Sequence, residues 1–132
     1  MEAPAQLKYS EEHIWVRLEG KQAVIGMTDF AQEELGDIVF VELPPQGEAL
    51  KKGEPFGSVE SIKSVTELYA PVSGRVTRTN PGLKDMPGKL NLEPYGEWLA
   101  VIEITDPSEL DALWDADRYA AAFGDAEEQP EE

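Results

Sequence analysis

Apolar and polar positions change rhythm several times along the chain. Residues 13–18 are rich in β-formers, residues 19–21 (Glu19, Gly20, Lys21) are turn-like, and residues 22–27 return to apolar β-formers. This predicts an antiparallel hairpin. A short helix follows: Thr28 suits its N-cap, Asp29 its first turn and Gly36 its end, with Ala31 and Leu35 on one face. Residues 38–43 predict a strand closed by Pro44 and Pro45. From there to about residue 80 the pattern is short strands broken by Gly47, Gly53, Gly57, Pro71 and Gly74, which suggests a compact barrel or sandwich. Residues 98–104 form the last clear strand. Asp106, Pro107 and Glu109 then supply an N-cap, a first-position proline and the glutamate of a capping box, and Leu110, Leu113 and Trp114 fall at helical spacing. A second helical turn runs over residues 118–123 and stops at Gly124. Trp15, Phe40 and Trp98 are expected in the core.

Composition narrows the function classes. The 132 residues, 41% apolar, suit one domain with a modest core over residues 1–124. Residues 125–132 are acidic and nearly without apolar side chains, so a disordered tail is expected there. No apolar run is long enough to span a bilayer. Residues 1–4 lack the marks of a secretory signal or transit peptide, which points to a cytoplasmic bacterial protein, with a processed mitochondrial form the weaker option. The formal charge is −16, without the clustered Lys and Arg that nucleic acid requires. From Glu103 onward there are 11 acids and one base. The plain reading of that acidity is solubility; the sharper one is steering toward basic partner surfaces. With no cysteine and the single His13, thiolate chemistry, disulfides and a multi-histidine metal site are excluded.

The stretch of residues 57–74 carries the chemistry. Two β-like arms flank Ile62 and Lys63, with none of the Asn-Gly or Gly-X pairs that primed hairpin turns favour. The turn is therefore expected to tolerate ordinary residues, as type I does. A lysine at such a tip projects its amine into solvent. That geometry suits a covalent carrier, whose tethered group stays at high effective concentration while reaching several active sites. It equally suits an ordinary solvated lysine.

Glu60-Ser61-Ile62-Lys63, followed by Leu68-Tyr69-Ala70-Pro71-Val72-Ser73-Gly74, resembles the lipoylation segment of glycine cleavage system H proteins. The similarity extends over residues 9–16, 26–32 and 35–44, Asn91, Pro94-Tyr95-Gly96, Trp98-Leu99 and residues 106–110, roughly residues 7 to 123 in one order. The resemblance implies a mainly β fold with short helices, a barrel-sandwich hybrid of the biotinyl/lipoyl-carrier type with an N-terminal hairpin and a C-terminal helix. It implies a non-catalytic, monomeric carrier with lipoate on Lys63 as covalent lipoamide. Glu60, Ser61 and Ile62 would serve recognition by lipoate-attaching enzymes. Its partners would be a glycine decarboxylase, which loads an aminomethyl group, an aminomethyltransferase, which removes it, and a dihydrolipoamide dehydrogenase, which reoxidises the dithiol.

The family tucks the loaded arm into a cleft, for which Glu12, His13, Ile14 and Glu67 are the candidate residues. Position 14 departs from the family, which has a glutamate between the histidine and the tryptophan. Either Glu12 or Glu67 compensates, or the loaded arm is held less firmly here. The turn before Trp98 is one residue shorter than the family pattern. Alternatives are an H-like lipoyl carrier in lipoate transfer or sulfur metabolism, and an unmodified interaction module. A biotin carrier is disfavoured because Ile62 and Ser64 stand where biotin carriers have methionines.

Overall fold

The computed structural model describes residues 3–124; the acidic tail expected to be disordered, residues 125–132, lies outside them. The elements in order are β1 (Lys8–Tyr9), β2 (Ile14–Glu19), β3 (Gln22–Met27), α1 (Asp29–Leu35), β4 (Ile38–Glu42), β5 (Ala49–Leu50), β6 (Pro55–Ser61), β7 (Val65–Tyr69) and β8 (Gly74–Thr79). Then come α2 (Gly82–Asp85), α3 (Lys89–Leu92), β9 (Ala100–Ile104), a 3-10 turn (Pro107–Ala112) and α4 (Ala116–Tyr119), which widens into a π turn (Ala120–Gly124). The strands form two antiparallel sheets. One has the order β1-β2-β3-β9-β8-β5 and the other β4-β6-β7.

Alternation along the strands builds two apolar clusters. Ile14 and Val16 of β2, Ala23 and Ile25 of β3, and Ala100 and Ile102 of β9 face the core, where they meet Val41, Val59 and Leu68 of the smaller sheet. The residues between them, Trp15, Val24 and Val101, face the other way and are covered by Leu7, Tyr9, Ala116 and Tyr119. Each large side chain so buried contributes about 1.5–3 kcal/mol. The hairpin expected from residues 13–27 forms as β2 and β3, in register from Ile14↔Met27 to Glu19↔Gln22. Trp15 lies opposite Gly26, and a Cβ there would run into the indole. The indole Nε1 donates to the Pro94 carbonyl at 2.9 Å, so the turn before Trp98 is tied to the hairpin.

Three expectations are corrected. Phe40 is not core but 49% exposed, because the β4–β6 register shifts between Ile38 and Phe40 and turns the ring outward. Trp98 is only half-buried. The helix expected after Asp106 is a 3-10 turn, and Glu109 does not close a capping box. Its carboxylate instead accepts from the Ser73 N–H at 2.6 Å and the Ser73 hydroxyl at 2.9 Å. A tertiary partner has taken the group that local spacing assigned to the helix end. The first ten residues, read as a lead-in, contain β1, which pairs with β2 at Tyr9↔Trp15.

Candidate functional site: an exposed lysine at the head of a groove

Ser61 and Ser64 bracket the turn at Ile62-Lys63. The Ser61 N–H donates to the Ser64 carbonyl at 2.8 Å. The Ser61 side chain, only 5% exposed, accepts the backbone N–H groups of Lys63 (3.1 Å) and Ser64 (3.2 Å). Neither Ile62 nor Lys63 has a positive φ, so this is the unprimed kind of turn expected from its composition. A fourth tie comes from outside the hairpin, where the Ile62 N–H donates to the Asp37 carbonyl at 3.1 Å. The backbone of the tip is thus held from beneath, while Ile62 is 70% exposed and Lys63 is exposed beside it. Glu60 is also exposed, opposite Val65 on β7.

Gly36, which ends α1 at φ 78°, lies under the Lys63 stem: a Cβ there would stand 3.3 Å from Lys63 Cε and 3.8 Å from Nζ. Only glycine combines that left-handed φ with room for the passing side chain. Asn91 of α3 clamps the same place. Its Oδ1 accepts the Ile38 N–H at 2.9 Å, and its Nδ2 donates to the Gly36 carbonyl at 2.8 Å and to Gln32 Oε1 at 3.0 Å.

Between α1 and β7 runs a groove of about 260 Å³. Both of its walls end at the Lys63 tip, since Gly36 follows α1 and Ser64 precedes β7. Met27, Phe30, Ala31, Leu35 and Leu68 make it apolar, Thr66 lines its β7 side, and Glu12, His13, Glu34 and Glu67 bring the ionisable groups. Of the four residues expected at a cleft, the structure brings Glu12, His13 and Glu67 together here. Ile14 is not among them. It is fully buried in the core, because strand alternation points positions 14 and 16 inward. Glu34 went unnoticed in the sequence, although Phe30, Ala31, Glu34 and Leu35 share one helical face by their spacing. Glu67 Oε1 accepts from the Tyr69 hydroxyl at 3.3 Å, and the Glu67 charge foremost raises the Tyr69 pKa, with Glu12 adding to it. His13 is held below the usual imidazole range by burial, against the opposing pull of Glu34.

A larger hollow of about 500 Å³ opens on the outer face of the six-stranded sheet, lined by Arg17, Val24, Arg78, Trp98 and neighbours. It includes no residue of the tip or of α1, so it plays no part in this site.

Comparison with known proteins shows the family. The family model described as glycine cleavage H-protein matches residues 7–126. The glycine cleavage system H protein of Brevibacillus brevis is 58% identical over 92% of this chain and 97% of its own length. That of Bacillus cytotoxicus is 57% identical over 91% and 95%. The crystal structure of a glycine cleavage system H protein from Mycobacterium marinum superposes with a TM-score of 0.81 at 34% identity, covering 92% of this chain and 98% of that one. The chain belongs to the glycine cleavage H-protein family.

Proposed function

We propose that the protein is the lipoyl-bearing shuttle of the glycine cleavage system, with the lipoyl group in amide linkage to Lys63. The observation that carries this reading is the tip itself: an exposed amine on a two-residue turn whose backbone is fixed by Ser61 and Asp37. Rigid backbone with a free side chain is what an attaching enzyme needs, since little ordering remains to be done on binding. Glu60, Ser61 and Ile62 form the segment such an enzyme would read. The bound group supplies a dithiolane that can be opened, loaded and reclosed, while bond-making belongs to the partner enzymes and their cofactors.

The residues present fit that group. Gly36 leaves room for the lysine stem. The groove, at about 260 Å³, is at or below the ~300–1,000 Å³ of sites that bury whole drug-sized ligands, so it suits the end of an arm. Its apolar lining would shelter that end from water. Glu12, Glu34 and Glu67 would favour an amine there over a neutral or anionic cargo. Glu34 and Glu67 therefore do the work that Ile14 cannot. The expected partners are a glycine decarboxylase, an aminomethyltransferase, a dihydrolipoamide dehydrogenase and the lipoate-attaching enzymes.

Peptide mass spectrometry across residues 52–75, after expression with an active lipoylation pathway, tests the attachment. A lipoyl adduct on Lys63 is expected, and an unmodified peptide overturns the reading. Reconstitution of glycine-dependent turnover with the decarboxylase and aminomethyltransferase tests the system. Full lipoylation with no turnover would move the protein to a different lipoyl pathway.

A further inference from the structure

Thr28 and Ser61 are the polar residues buried among the described residues. Ser61 holds the lysine tip. Thr28 begins a chain of hydroxyls that ends on His13. Thr28 Oγ1 lies 2.7 Å from Tyr119 Oη, and Tyr119 Oη lies 2.8 Å from His13 Nδ1. Tyr119 comes from the C-terminal helix, 106 residues away from His13 in the chain.

The protons in this chain can be placed by counting. Thr28 Oγ1 accepts the Ala31 N–H at 3.3 Å, as the N-cap of α1. Its own hydrogen has a single acceptor among the described residues, Tyr119 Oη. Tyr119 must then pass its hydrogen on to His13 Nδ1. In the reverse order His13 Nδ1–H donates to Tyr119, Tyr119 donates to Thr28, and the buried Thr28 hydrogen has no acceptor. A buried donor left unmade is costly. We infer that Tyr119 is a positioning residue for the groove: fed by Thr28, its hydroxyl donates to His13 Nδ1 and fixes the ring as the neutral tautomer that carries its proton on Nε2.

The surroundings lock the ring in place. His13 has φ 72°, the left-handed region that a non-glycine residue rarely adopts. Phe30 at 4.8 Å, Phe123 at 4.6 Å and Tyr119 at 5.9 Å between ring centroids pack around it. Three carboxylates share its groove, Glu12 from the preceding loop, Glu34 from α1 and Glu67 from β7, and Asp29 acts on Tyr119 from the start of α1. Of these, Glu34 is the carboxylate that pulls His13 toward a positive imidazolium. The hydroxyl chain and burial oppose it, because a proton on Nδ1 leaves one buried hydroxyl hydrogen, that of Thr28 or of Tyr119, without an acceptor. A neutral ring makes no ion pair with Glu12, Glu34 or Glu67, so the charge of those groove carboxylates acts on a cationic cargo instead. That last consequence rests on the shuttle reading; the tautomer does not.

His13 is the only histidine in the chain, so long-range 1H–15N correlation of the full-length protein reports on it without assignment. The expected spectrum is the Nε2–H pattern, persisting as pH falls below the ~6.5 of a free imidazole. Tyr119→Phe keeps the ring packing and removes the hydroxyl. It is expected to give mixed tautomers and a His13 midpoint about half a pH unit higher or more, whereas Thr28→Ser retains the wild-type pattern. An Nδ1–H pattern in the unaltered protein overturns the assignment, even if Tyr119→Phe fails to fold. So does a Tyr119→Phe spectrum that titrates as wild type. An Nε2–H pattern beside an unmodified Lys63 would remove the shuttle reading and leave the Tyr119 assignment standing.

Discussion

Lys63 reaches past Gly36 from a turn that other residues hold rigid, so the side chain itself contributes little to the fold. Lys63→Arg is expected to abolish the lipoyl adduct by intact mass while moving the urea unfolding free energy by no more than about 0.5 kcal/mol. A loss of cooperative unfolding in that variant would make Lys63 a structural residue. Ser61 has the opposite character. Removing its hydroxyl leaves two backbone N–H groups at the tip without their acceptor. Ser61→Ala should cost about 1–2 kcal/mol and slow lipoylation in a timed mass assay. Unchanged stability together with an unchanged rate would show that the turn needs no internal brace. His13 gives a pH signature. Its folded pKa lies below the ordinary 6.5, chiefly through burial, so the unfolded chain takes up a proton before the folded one does. The stabilisation from keeping this ring neutral is complete above about pH 6.5 and is lost as pH falls through the lowered folded value. His13→Asn, which tolerates the left-handed φ, should flatten the dependence of urea midpoint on pH between neutrality and the onset of carboxylate titration. An identical slope in wild type and variant would count against a depressed His13.

Among the elements, α1 and β7 are short, and neither makes the groove alone. The α1 end is located by α3 through Asn91, whose amide binds Gly36, Gln32 and Ile38 at once. Asn91→Ala removes the acceptor of the Ile38 N–H and the partner of the Gly36 carbonyl, at a cost of about 1–3 kcal/mol. Amide hydrogen exchange should then quicken at Ile38 and along the start of β4. Protection unchanged at Ile38 would mean that the β4–β6 pairing alone holds that strand end. The C-terminal helix plays the matching part at the start of α1. Tyr119 stacks on Tyr9 at 4.8 Å, and Phe123 packs on both His13 and Phe30. An element that local reading treats as an appendage is in fact a support of the groove. The clearest local misreading was Glu109, placed in a capping box by its spacing from Asp106 but drawn to Ser73 across the fold.

The whole molecule carries a formal charge of −16, and acylation of Lys63 would remove one more positive charge from the working end. Such a field attracts basic surfaces over distances comparable to the Debye length, about 8 Å at physiological salt. The Michaelis constant of the decarboxylase for the lipoylated, unloaded carrier is therefore expected to rise with ionic strength, with turnover at saturation little changed. A constant indifferent to salt would reduce the acidity to a solubility device. Among the described residues no helix is long and apolar enough to cross a membrane, and the two sheets enclose one apolar core with a second cluster beneath the C-terminal helix.

Local chemistry determined what needed only near neighbours. Runs of β-formers on either side of Glu19-Gly20-Lys21 made the β2–β3 hairpin readable, Thr28 and Gly36 marked the ends of α1, and the absence of turn glycines at Ile62-Lys63 selected an unprimed turn with a lysine at its tip. Those preferences act over a few residues, so the sequence holds them in plain order. Tertiary packing decided the rest. A shift in the β4 register turned Phe40 out, alternation drew Ile14 into the core, and the meeting of α1 with β7 put Glu34 beside Glu12 and Glu67. The contact of His13 with Tyr119 spans 106 residues. No local rhythm encodes such a contact, because it exists only once the sheets have fixed where each distant segment comes to rest.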